Sequence, residues 1–157
     1  MTTATYRKPT GRANSGLPDP ARQPDFYAGV PLSRALAWVM DMVLIAILAA
    51  LFLPFTAFLG VFFFPLMMLV IGFLYRWSTL ANGSATWGMR FFGIEIRERS
   101  GHRLRSGTAL LHTLGYSISL AVAPLQLISV ILMLVTPRGR GLSDLVLGTA
   151  AINRPIR

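Results

Sequence analysis

Four ionisable side chains stand where the chemistry of this sequence has to be sought: Arg34, Asp41, His112 and Asp144. Asp41 lies inside "SRALAWVMDMVLIAILAALFL", residues 33–53, a run apolar enough to cross a bilayer. A charged Asp at mid-membrane costs roughly 2.5–3.5 kcal/mol on insertion, so it must face protein or water and find a partner. In such a place a carboxylate either handles a proton or a cation, or locks helices together through hydrogen bonds. Arg34 is on the same helical face, about 10 Å away along the axis. Helical side chains lean toward the N-terminus, so Arg34 leans away from Asp41 and is expected to snorkel to the headgroups. His112 is the better candidate partner for Asp41, because it enters its own apolar stretch at a comparable depth. Asp41 and His112 together form the candidate intramembrane charge, proton or ion site.

Asp144 lies in "RGRGLSDLVLGT". Ser143 or Asp144 can cap a short helical turn by accepting backbone N–H bonds; the alternative is an ion pair with an Arg of the middle stretch. A Ser117–His112–Asp41 triad can be drawn, but it lacks any nucleophile-elbow context, and no catalytic residue is assigned. His102 and His112, with few acids near them, offer no metal cluster. The chain has no cysteine, which excludes disulfides and thiolate sites. Neither a metal nor another cofactor is expected.

The elements that must position these groups follow from composition. The chain is 54% hydrophobic and 13% charged, against about 25% charged in a soluble domain. Its 157 residues suggest one domain. The net charge is +9. Arg flanking membrane segments explains that better than nucleic-acid binding, because no basic stripe with interleaved aromatics is present. Residues 1–30 are rich in Pro, Gly, Thr and Arg without periodicity. They read as a disordered basic cytoplasmic tail and not as a cleavable signal. Residues 35–53 form the first span, ended by Pro54. Residues 59–75 form the second, with a kink expected at Pro65 and an interfacial anchor at Arg76 and Trp77.

Residues 76–105 are polar. Within them, 84–92 read as a short helix on the membrane surface with Trp87, Phe91 and Phe92 dipping in. Residues 93–97 alternate as a strand, for which 148–153, "GTAAIN", is the candidate partner. Residues 108–135 are apolar and broken at Pro124. As a continuous helix they would be about 42 Å long. Gly115, Ser119 and Ala123 recur every four residues, a spacing that lets helices approach closely. Arg residues precede the first span and follow the second, placing the N-terminus and the middle stretch in the cytoplasm. A single third crossing would put Arg138, Arg140, Arg154 and Arg157 outside. A return at Pro124 keeps them inside and is preferred, with the re-entrant backbone covered by protein.

In order along the chain, Arg34, Asp41, "NGSATWGMRFFGIEI" and "RGRGLSDLVLGT" resemble the RDD family of membrane proteins, named for one Arg and two Asp. The likeness covers residues 31–153. Arg34 matches the family Arg, Asp41 the first Asp and Asp144 the second. Met89 stands where the family often has Lys, and Ser143 where it often has His or Gly. The resemblance implies an integral membrane protein, with transport or cation/proton exchange proposed for some members. The expected fold is an all-α membrane protein: two transmembrane helices plus a third Pro-broken apolar helical segment (third span or re-entrant hairpin), with a small cytoplasmic β-pair, all within residues 31–157. The expected setting is the bacterial cytoplasmic membrane. The expected partners are the lipid bilayer and further copies of the chain or other membrane proteins, and no nucleic acid. A small transport or exchange component is one functional expectation; a membrane assembly or adaptor protein is the other.

Overall fold

The computed structural model of the chain describes residues 16–154. The tail reading therefore falls outside the described residues for 1–15. From residue 16 onward the chain is folded: Leu17 and Tyr27 are buried against Ala150 and Ile152, and the Gly16 amide donates to the Arg99 carbonyl. With Phe26 packed beside them and the Asn153 amide donating to the Asp25 and Ala28 carbonyls, they hold this otherwise polar segment on the sheet.

The first long helix, α1, is Val30–Phe52. It starts earlier than the apolar run suggests, because Pro31 occupies its first turn, where a missing N–H costs nothing. A 3-10 turn, Leu53–Thr56, carries Pro54 and closes it. The second, α2, is Phe64–Gly83. Pro65 sits in its first turn, so it starts the helix instead of kinking it. Arg76 and Trp77 accordingly lie well inside α2, not at its end. The two helices run antiparallel, and Gly72 lets Ile45 approach closely: an added Cβ would sit 3.3 Å from the Ile45 Cδ1.

A five-residue helix, α3, is Trp87–Phe91. It is shorter than the surface helix expected over 84–92, because Ser84 takes a left-handed conformation and Thr86 becomes the cap. Trp87 and Phe91 are exposed as expected, while Met89 is buried and Phe92 packs against the core. Strand β1, Ile94–Arg97, pairs antiparallel with β2, Ala150–Asn153, with Ile94 opposite Asn153 and Arg97 opposite Ala150. The expected strand partner is thus the observed one.

Between the strands run α4, Ser106–Ala121, α5, Ala123–Val135, and α6, Leu142–Leu147. The α4 and α5 axes differ by 117°. Val122 is extended at the break and Pro124 falls in the first turn of α5. The excursion begins after β1 and ends at β2, so both of its ends meet in one sheet. The bend at Pro124 is therefore part of the fold, as a broken span or a re-entrant loop.

The core lies where the helix ends meet the sheet, with Val30, Ala37, Leu80, Met89, Ile94, Ile96, Ala109 and Ala151 in one buried cluster. Further along the helices the apolar side chains point outward: Val43, Ile47 and Leu51 on α1, Val70 and Leu74 on α2, and Leu127, Ile131 and Leu134 on α5 are all exposed. Helices α1 and α2 are each long and apolar enough to cross a membrane, and the bent α4–α5 pair is a third candidate span.

Candidate functional site: two carboxylate centres around a cavity

Asp41 sits mid-helix in α1 and is fully buried. Its Oδ1 accepts hydrogen bonds from the Tyr75 hydroxyl at 2.7 Å and the Gly88 amide at 3.0 Å. Its Oδ2 accepts from the Thr86 hydroxyl at 2.7 Å, with the Arg76 Nη2 standing off at 3.7 Å. Local sequence explains the donors. Thr86 caps α3, accepting the Met89 amide on the same oxygen that donates to Asp41. Gly88 is required by contact: a Cβ there would lie 2.4 Å from the Ala37 carbonyl oxygen and 2.8 Å from the Asp41 Oδ1. Asp41 thus welds α1, α2 and α3 together, mostly through neutral donors.

Asp144 forms the second centre and is also fully buried. Its Oδ2 accepts from the Arg34 Nη1 at 2.6 Å and the Gly141 amide at 3.1 Å. Its Oδ1 accepts from the Thr149 hydroxyl at 2.8 Å and lies 2.9 Å from the His112 Nε2. Asp144 is in the first turn of α6 and reaches back to the amide before the helix, as an acid at this position can. It accepts backbone N–H as the capping reading expects, though from inside the helix and not from the cap position. Burial alone would push this carboxyl up; the Arg34 guanidinium and His112 outweigh it and hold Asp144 well below the usual carboxylate range.

Three expected partnerships are corrected by this geometry. His112 pairs with Asp144, not with Asp41, because α6 folds against α4 and brings its carboxylate first. Arg34 does lean away from Asp41, but it ends on Asp144 instead of at headgroups. The Arg paired with Asp144 comes from α1, 110 residues away, and not from the middle stretch. The triad of Ser117, His112 and Asp41 is not assembled, since the carboxylate at His112 is that of Asp144. The small-residue face is used within the chain: Gly115 lies against Ser143 of α6, where a Cβ would be 2.9 Å from the Ser143 Oγ. Ser119 is buried and donates to the Tyr116 carbonyl and to Gln126, whereas Ala123 is exposed.

Both centres border one cavity of about 540 Å³, whose wall includes Arg34, Asp41, Arg76, His112, Tyr116 and Asp144. Arg76, which reads in the sequence as an interfacial anchor, is 6% exposed and stacks over the Tyr116 ring at 4.0 Å. Its Nε is buried without a hydrogen-bond partner. Tyr75 and Arg76 were not read as site residues, nor were Thr86, Gly88 and Thr149, while Tyr116 was noted only as polar company on the His112 segment. One signal was available for the first two: in an antiparallel hairpin the middle of α2 faces the middle of α1, which places Tyr75 and Arg76 level with Asp41.

Outward-facing apolar helices around buried, fully bonded carboxylates fit an integral membrane protein. The RDD family model matches residues 28–148, and the chain belongs to the RDD family. No curated protein and no solved structure matches it.

Proposed function

We propose that this RDD protein is a multi-pass membrane transport component whose binding chamber is the cavity between the two carboxylate centres. The observation that carries this reading is that charged and titratable side chains from α1, α2, α4 and α6 line one 540 Å³ cavity, a size common for binding sites. Proton exchange is assigned to the His112 imidazole, which pairs with Asp144 at the cavity wall. Asp41, with its oxygens occupied by three short hydrogen bonds, serves as the lock that holds the chamber in shape. The Arg distribution supports a cytoplasmic N-terminus, β-pair and C-terminus in a bacterial cytoplasmic membrane, with α4–α5 as a re-entrant hairpin. Lipid or a second copy of the chain covers the outward apolar faces. No catalytic role, cofactor or nucleic-acid partner belongs to this reading.

The test is cation-driven proton movement in proteoliposomes of the purified protein with a pH-sensitive dye inside. Alkalinisation above that of empty vesicles, lost in folded His112→Gln and kept in Asp41→Asn, is the expected result. Wild-type protein that moves no protons under any Na⁺ or K⁺ gradient overturns the exchange role. That result would favour the second reading, a membrane assembly or adaptor protein, for which the saturated Asp41 is the supporting observation. A reporter active only in the cytoplasm, fused at Arg157, tests the orientation; activity of an exterior-only reporter there rejects it.

A further inference from the structure

The Arg76–Tyr116 stack is a partition. On one side lies the cavity already described, which both carboxylate centres border. On the other is a second cavity of about 460 Å³, whose wall includes Ile45, Leu69, Phe73 and Leu120 and is almost wholly apolar. Arg76 and Tyr116 border both. We propose that the two chambers form one site for an acidic amphiphile: an acyl chain in the apolar chamber, with a single carboxylate or phosphodiester head against the Arg76 guanidinium. The inference rests on the reading of the cavity as a binding chamber, but not on which ions cross.

The argument is one of unmet chemistry. A buried guanidinium normally forms hydrogen bonds to an acid. Arg34, the other cation on these walls, does so with Asp144 at 2.6 Å. Arg76 does not: Asp41 is 3.7 Å away and its oxygens are occupied by Tyr75, Thr86 and Gly88 at 2.7–3.0 Å. The Arg76 Nε is buried and unpartnered, although the residue is only 6% exposed. An aromatic ring beneath the guanidinium fixes its plane, which presents the remaining N–H edge to an incoming acid group. An apolar chamber beginning at the same side chain suits a chain attached to that acid. Neither a small inorganic anion nor an uncharged lipid would use both features.

The experiment is equilibrium binding of radiolabelled oleate to the full-length protein in a neutral detergent. Oleyl alcohol, phosphatidylglycerol and phosphatidylcholine serve as competitors. Saturable oleate binding that oleyl alcohol and phosphatidylcholine fail to displace is expected. Displacement by phosphatidylglycerol assigns the site to a lipid headgroup, and its failure to displace assigns it to a free fatty acid; both support the proposal. Arg76→Gln should weaken binding roughly ten- to hundredfold, the effect of losing a charged hydrogen bond, and Arg76→Lys should weaken it less. Leu120→Trp fills the apolar chamber without touching either carboxylate centre, and should abolish binding. If Arg76→Gln fails to fold, Leu120→Trp and the oleyl alcohol competition decide the matter. Equal displacement by oleyl alcohol, or unchanged affinity in folded Leu120→Trp or Arg76→Gln, overturns the proposal. Oleate binding without cation-driven proton movement sinks the exchange reading alone; proton movement without saturable oleate binding sinks this inference alone.

Discussion

The Asp41 and Asp144 centres are built from the same residue type at the same zero exposure, yet they solve the burial problem differently. Asp41 is satisfied by two hydroxyls and a backbone amide, with its cation held 3.7 Å off. Asp144 is satisfied by a guanidinium at 2.6 Å, an imidazole at 2.9 Å, a hydroxyl and a backbone amide. The first arrangement draws on residues 41–88, one hairpin and the short helix after it. The second joins the start of α1 to α6, and so closes the chain end to end. A carboxylate held by neutral donors tolerates loss of its charge better than loss of its shape. One held by a buried cation tolerates neither, because its removal strands that cation.

The largest effect should therefore come from Asp144→Ala. It leaves the part-buried Arg34 unpaired, and thermal melting in detergent should report a loss of about 3–5 kcal/mol. Replacing both partners, Arg34→Met with Asp144→Leu, should recover most of it. A double variant as unstable as the single one would show that the pair is not the source. Gly88→Ala comes next. Its methyl would press on the Ala37 carbonyl and the Asp41 Oδ1, both on α1, at about 1–3 kcal/mol. A silent Gly88→Ala would mean that α3 is not clamped to α1, and the contrast between the centres would lose one side.

Asp41→Asn should be milder, about 1 kcal/mol. The amide keeps the size and one acceptor, and the Thr86 hydroxyl can turn to accept. Melting of Asp41→Asn and Asp144→Asn side by side checks the contrast directly, and equal losses would break it. The smallest effect concerns pH. Because the Asp144 carboxyl is held below its ordinary value, its contribution is complete above the unfolded value of about 3.9. It declines as pH falls below that value and is gone once pH has passed the lower folded value. A His112→Gln background removes the facing imidazole and leaves Arg34. In that background, the melting difference made by adding Asp144→Asn should stay level from pH 8 to pH 5. It should narrow below about pH 4. A difference that shrinks between pH 8 and pH 5 would place the carboxyl on the other side of its ordinary value.

Much of the scaffold was legible in residues close together in the chain. Apolar runs of bilayer length marked α1 and α2, and Pro124 marked the bend. The alternation "GIEIR" and the run "GTAAIN" named each other as strands. The prolines were harder to place. Pro65 is tolerated in a first turn and disruptive in an interior, and only the position of the helix start, set by the aromatic-rich turn before it, tells the two apart. Leu17 and Tyr27 were missed because two apolar residues in a polar segment carry no period, and their partners lie more than a hundred residues away in β2.

The sequence by itself determined that charge is scarce, that Arg34, Asp41, His112 and Asp144 had to find partners, and that the spans were apolar. Hydropathy and the cost of burying charge are local properties, readable residue by residue. Only the tertiary structure decided which partner each group takes. Asp41 went to Tyr75, Thr86 and Gly88 because α2 and α3 reach it first. His112 and Arg34 met at Asp144 because the strand pairing returns α6 to the start of α1 and α4. Pairing depends on distances set by the packing of the whole chain, and side chains 32 and 110 residues apart leave no periodic trace of their contact.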